Sequence, residues 1–232
     1  MKNMKNTATE MNNKKENTVM KNMPRLTALI IAIVMLLSAF AFADTRTGST
    51  VTFGVYEQDG SYNNGAEPLT WKVLTVQNGK ALLVTEKVID WYYYNNYNTE
   101  VTWGTSSICM FLNDEFYNSA FTDAEKAAIQ VNYEADAKRV FLLSEQEARI
   151  YFGGNNQRMA YPTSHALNQG AWTWAVTGGT TYWLRDTIRP YGTLYSVAKL
   201  ITGSGDYDLK GQTQHQNRRG VRPAIWVDVE AL

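Results

Sequence analysis

Cysteine is almost missing from this sequence: Cys109 stands alone among 232 residues. One thiol cannot close an intramolecular disulfide, so the fold has to be held by its core. Histidine is nearly as scarce, with His165 and His215 only, and no His-x-x-x-His or Cys-x-x-Cys spacing occurs. That excludes the usual transition-metal patterns and implies no metal and no cofactor. Excess charge of either sign is absent too, since 22 basic residues balance 22 acidic ones. A nucleic-acid partner wants a basic patch, and none is present. No serine-nucleophile elbow and no phosphate-cradling glycine loop is found.

Long apolar runs are also absent, with one exception near the N-terminus. Met20 to Arg25 is a basic lead-in to the apolar stretch Leu26–Phe40, and Ala41-Phe-Ala43 places small residues before the polar Asp44-Thr-Arg46. Basic flank, short apolar core and small-x-small together predict a secretory signal peptide over residues 1–43, cleaved after Ala43. Residues 1–19 make this leader over-long, and a start at Met20 or Met23 would give an ordinary one. The alternative is an uncleaved anchor, because the apolar run approaches the roughly 20 residues a spanning helix needs. The first 43 residues carry Lys2, Lys5, Lys14, Lys15, Lys21 and Arg25 against Glu10 and Glu16. Their removal leaves 16 basic and 20 acidic residues, a net charge of −4. The expected product is a secreted or cell-surface protein with no stable membrane insertion after cleavage.

What is abundant is aromatic: 14 Tyr, 8 Phe and 7 Trp. Residues 44–232 suffice for one domain with a real core. Thr50–Tyr56 reads as a strand. Leu69–Val73 and Ala81–Thr85 flank Asn78-Gly79, the dipeptide of a tight hairpin turn. The alternation Leu69, Trp71, Val73 slips phase at Leu74, which predicts a bulge near Val73. Ser106–Phe116 has helical spacing. Thr122-x-x-Glu125 and Ser144-x-x-Glu147 are capping boxes opening helices through about Gln130 and Phe152. Arg139–Leu143, Tyr182–Arg185, Leu194–Ile201 and Val221–Val229 read as strands. Strands at both ends and helices between predict an α+β fold: one compact domain, a mostly antiparallel sheet and a few short helices.

Several motifs recur in a familiar order: Val51-x-Phe-Gly-x-Tyr56, Leu69-x-Trp-x-Val-Leu74, Val101-Thr-Trp103, Phe111-Leu-Asn113, Val140-Phe-Leu-Leu-Ser144, Tyr182-Trp-Leu-Arg185 and Gly220-Val-Arg-Pro-Ala-Ile-Trp226. Together they resemble DUF6273, a bacterial domain family of unknown activity found in secreted and surface proteins. The resemblance covers about Val51 to Val227. The closing Trp-Leu-Arg and Gly-Val-Arg-Pro pair is also similar to the end of C-type-lectin-like domains and formylglycine-generating enzymes. It departs from the family in Tyr182, Cys109, and the polar, aromatic Thr187–Tyr191 loop.

Candidate chemistry is sparse. Cys109 sits in an apolar helix beside Ile108 and Met110, where a thiol behaves as a small hydrophobe. Asp206 and Asp208 fall in a Gly/Ser loop without the ligand count calcium wants. Asp123, Glu125, Glu145 and Glu147 occupy helix first turns, where capping explains them. Glu57, Asp59 and Glu67 are loop acids with no identifiable partner. Arg185, Arg222, Trp183 and Trp226 lie in strand-like segments and are expected to be structural, with both arginines held by carboxylates or carbonyls. The stretch Trp91–Asn98 mixes aromatics and amides without regular spacing, which suits sugar rings. Tyr93, Tyr94 and Tyr97 are expected to face solvent there, with Trp172, Trp174 and Tyr191 as an opposing wall. The functional expectation is an exported, non-catalytic binding domain for a glycan or cell-surface component. The alternative is an extracellular glycan- or cell-wall-processing enzyme.

Overall fold

The computed structural model describes residues 46–193 and 195–232. The expected leader and its cleavage point at Ala43 lie outside them. Among the described residues no helix is long and apolar enough to cross a membrane. The described residues form ten strands: β1 (Thr50–Tyr56), β2 (Glu67–Gln77), β3 (Lys80–Thr85), β4 (Asp90–Tyr93), β5 (Val140–Phe141), β6 (Tyr182–Ile188), β7 (Val197–Ile201), β8 (Tyr207–Thr213), β9 (Arg218–Val221) and β10 (Ala224–Asp228). They make two five-stranded sheets, ordered β1-β2-β3-β10-β5 and β4-β9-β6-β7-β8. Every strand pairing is antiparallel except the single parallel contact Tyr182↔Gly220 between β6 and β9. With a few short helices between, this is an α+β domain.

Local chemistry explains the elements. Asn78 and Gly79 both take positive φ, 51° and 73°, so Gln77 pairs directly with Lys80 across a two-residue turn. The phase slip is a bulge: Val73 pairs with Leu83, and Thr75 already pairs with Leu82. Both capping boxes form, opening the helices Asp123–Ala128 and Glu145–Tyr151. The helix after Ser106 is less regular. An α turn, Ser107–Phe111, widens into a π turn at Leu112–Phe116 and continues to Ala120. One core takes in residues of both sheets, including Trp71, Leu83 and Ile225 from the first and Trp183, Leu200 and Val221 from the second. Buried indole N–H groups find acceptors, Trp71 on the Phe53 carbonyl at 2.6 Å and Trp183 on the Tyr92 carbonyl at 2.9 Å.

Several boundaries differ from the expectation: Leu194–Ile201 shortens to Val197–Ile201, and Tyr182–Arg185 extends to Ile188, taking in the first two residues of the expected Thr187–Tyr191 loop. Arg139–Leu143 shortens to Val140–Phe141, and Asp206–Asp208 is not a loop beyond its first residue because β8 begins at Tyr207. Trp91–Tyr93 is strand, not loop, paired residue by residue with β9. The run Val221–Val229 is not one strand. Val221 ends β9 in the second sheet and Ala224 begins β10 in the first, so the chain changes sheets at Arg222-Pro223. Proline cannot donate to a ladder, which makes it a natural break between the two.

Arg222 is buried at that crossing, 2% exposed. Its Nε donates to the Thr85 carbonyl at 2.9 Å, and one terminal nitrogen to the Arg158 carbonyl at 2.9 Å and the Tyr182 hydroxyl at 3.1 Å. The Phe152 and Tyr182 rings lie 5.4 and 5.2 Å from the guanidinium. Carbonyls and aromatic faces, rather than a carboxylate, hold this cation. Arg185 differs: it pairs with Glu147, donating to Oε1 at 3.0 Å, and also to the Leu142 carbonyl at 3.0 Å. Trp226 is only half-buried.

Candidate functional site

β4 is an edge strand, and a cleft opens beside it. The cleft encloses about 630 Å³, within the range of small-molecule sites. β4 supplies Asp90, Trp91, Tyr92 and Tyr93. The end of β1 supplies Tyr56, the following loop Tyr62, and the helix Ser164–Asn168 supplies His165. That helix is capped by Thr163, whose hydroxyl accepts from Ala166 N at 3.1 Å. It is fixed from two sides. Thr163 N donates to the Val88 carbonyl at 2.9 Å, just before β4, and His165 N to the Gln58 carbonyl at 3.0 Å, just after β1. Gly60, at φ 83°, lets the Tyr62 loop close on this helix, since a Cβ there would collide with Asn168.

The side chains at the inner end form a connected array. Asp90, 8% exposed, accepts from the Tyr56 hydroxyl at 2.7 Å and from Trp91 N at 2.6 Å. His165 Nε2 lies 3.7 Å from the same carboxylate, a charge contact longer than a hydrogen bond. Its Nδ1 faces the Tyr62 hydroxyl at 3.2 Å, and the Tyr56 and Tyr62 rings stand edge-on to the imidazole. Burial works against charge on Asp90, but the His165 imidazole, the Tyr56 hydroxyl and the Trp91 N–H outweigh it and hold the carboxyl below its ordinary value. Asp90 in turn raises His165 above the ordinary histidine value, against the opposing effect of burial. Burial, then the Asp90 charge and hydrogen bond, push the Tyr56 phenol far up, so it stays a donor. Tyr62–His165–Asp90 therefore has the order of an oriented base: carboxylate, imidazole, exposed hydroxyl.

With this geometry in place, comparison with known proteins gives one result. Residues 78–229 match the family described as Domain of unknown function (DUF6273). The chain belongs to the DUF6273 family. No curated protein and no solved structure matches it. The DUF6273 match takes in β4, Glu115, His165 and Arg218, whereas Tyr56, Glu57 and Tyr62 precede it.

The residues singled out in the sequence scatter. Tyr93 lines the cleft, with the Arg218 guanidinium 5.0 Å from its ring. Tyr94 does not face solvent: it is fully buried, edge-on to Trp183, and donates to the Arg185 carbonyl at 2.6 Å. The position just past the end of β4 turns inward, against the Trp183 indole. Tyr97 is 70% exposed but does not line the cleft. Trp172, Trp174 and Tyr191 are exposed, yet none lines it either. The opposing wall is instead Tyr56, Tyr62 and His165. Trp172 and Trp174 lean on each other with centroids 6.2 Å apart.

Other candidates resolve locally. Cys109 is buried, and burial pushes its thiol up to about 11. Glu57, Asp59 and Glu67, the last of them not in the loop but the first residue of β2, do have partners, the backbone N–H groups of the loop after β1: Gly60 to Glu57 at 2.6 Å, Ser61 to Asp59 at 2.7 Å, Gln58 to Glu67 at 2.7 Å. Asp206 accepts from Ser204 and Asn155. The array at Asp90 went unread in the sequence. Its one signal was a carboxylate inside the apolar run Val88-Ile-Asp-Trp91.

Proposed function

We propose that the chain is an exported, non-catalytic binding domain that holds a glycan or cell-wall component in the cleft beside β4. One observation carries the reading. Asn96, Gln169, Glu115 and Arg218 line this aromatic-walled cleft, and among the described residues none of their side chains has a hydrogen-bonding or ion-pairing partner. Polar groups of that kind around exposed ring faces are what a saccharide uses: amides and charges take hydroxyls, and rings take C–H faces. Export rests on the basic-apolar-small leader pattern. The test is a glycan array alongside a cell-wall preparation, probed with wild type and with Tyr93→Ala. Retention by wild type, loss on Tyr93→Ala at unchanged melting temperature and no released product are expected. Retention unaffected by Tyr93→Ala would remove the cleft as the site.

A second reading, a glycan- or cell-wall-processing enzyme, is favoured by the Tyr62–His165–Asp90 array, which has the arrangement of a base and its orienting carboxylate. Product release from the same cell-wall preparation, abolished by His165→Ala, would replace the first reading with this one.

A further inference from the structure

We propose that the cleft selects a disaccharide-sized ligand carrying an ammonium group at one end and a carboxylate at the other, received by Glu115 and Arg218. This deepens the glycan-binding reading and rests on it.

Most charges in the cleft are already occupied. Glu57 accepts from two backbone N–H groups, of Gly60 at 2.6 Å and Ser61 at 3.1 Å. Asp90 is taken up by Tyr56, Trp91 N and His165, and His165 lies between Asp90 and Tyr62. Two charges of opposite sign remain. Glu115 is exposed and its carboxylate has no partner among the described residues; Arg218 is exposed and its guanidinium meets only the Tyr93 ring. They line the same cleft and do not pair with each other. Other acids and bases do pair, as Glu145 with Arg149 and Lys199, and Glu147 with Arg185.

Their placement sets the ligand's length. Arg218 is opposite Tyr93 in the β4/β9 register. Glu115 belongs to the other end: the next residue, Phe116, packs its ring 5.2 Å from that of Tyr56, whose hydroxyl donates to Asp90. Asp90 and Tyr93 are three positions apart on β4, about 10 Å at a strand's rise. One sugar ring with adjacent substituents is too short for that span, and two linked rings suit it. At one end a carboxylate and aromatic faces favour an ammonium. At the other a stacked guanidinium keeps its donor fork for a carboxylate.

Four disaccharides of one skeleton separate the charges: glucosaminyl-N-acetylmuramic acid carries both, N-acetylglucosaminyl-N-acetylmuramic acid only the anion, chitobiose only cations and di-N-acetylchitobiose neither. Titrated calorimetrically into the wild-type protein, the first is expected to bind tightest, by about fivefold for each charge that an exposed pair contributes. Glu115→Gln should erase the preference for the ammonium alone, and Arg218→Gln the preference for the carboxylate alone, both at unchanged melting temperature. Four equal affinities, or a preference unmoved by either variant, would overturn the charge assignment while leaving glycan binding intact. No binding of any of the four would overturn both.

Discussion

Arg222 and Arg218 are four positions apart in the chain and belong to opposite regions of the molecule. Around Arg222 every donor accounted for meets a carbonyl, a hydroxyl or a ring, inside the junction of the two sheets. Around Arg218 one ring lies at 5.0 Å and the rest is open cleft. The same residue type thus does two jobs, and what separates them is whether its donors are already satisfied. A satisfied buried cation holds a fold together; an unsatisfied one at the rim of a cleft is available to something else.

The largest effect should come from breaking the satisfied side. Arg222→Ala takes a donor from the buried Thr85 carbonyl, leaves the Arg158 carbonyl with the Tyr182 hydroxyl alone and empties space beside Phe152, which should cost about 2–4 kcal/mol. In a domain of this size that lowers the melting temperature by about 10 °C. Arg218→Ala should stay within about 0.5 kcal/mol. Equal losses in the two variants would erase the distinction.

The second prediction sharpens it within one aromatic stretch. Tyr94→Phe removes the hydroxyl that donates to the Arg185 carbonyl and should destabilise by about 1 kcal/mol. Tyr97→Phe should leave the denaturation midpoint unchanged, because that ring is 70% exposed.

The smallest effect is a pH dependence. His165 is raised above 6.5, so its contribution is present below that value and lost as pH rises through the higher folded value. Asp90 is lowered below 3.8, so its contribution is present above 3.8 and lost as pH falls through the lower folded value. The contact is therefore strongest between 3.8 and 6.5. Melting curves of wild type should show a fall on the alkaline side of that window that His165→Gln lacks. Parallel wild-type and variant profiles would show that the 3.7 Å contact carries no linkage.

These outcomes also mark where the sequence was readable. The Asn78-Gly79 turn and the two capping boxes were legible because each is decided within four residues by φ or by a side chain reaching its own backbone. The change of sheet at Arg222-Pro223 was not, because Val221–Val229 is apolar on both sides of it, as a buried strand in either sheet would be. Tyr94 was misplaced for a related reason: its neighbours Tyr93 and Tyr97 are accessible, and only Trp183, from a distant strand, decides that the ring between them is covered. The site is the extreme case. Asp90, His165 and Tyr62 come from a strand, a helix and a loop, and no local spacing links them.

The crossing at Arg222-Pro223 also bears on the order of events in folding. β10, the last of the strands among the described residues, occupies an interior place between β3 and β5. A nascent chain that stops before Ala224 would leave two strand edges unpaired, with Leu83 and Phe141 uncovered, and such edges invite association with other chains. The first sheet can be sealed only after Asp228 has emerged. Until then the chain is a substrate for holding factors and proteases rather than a folded domain.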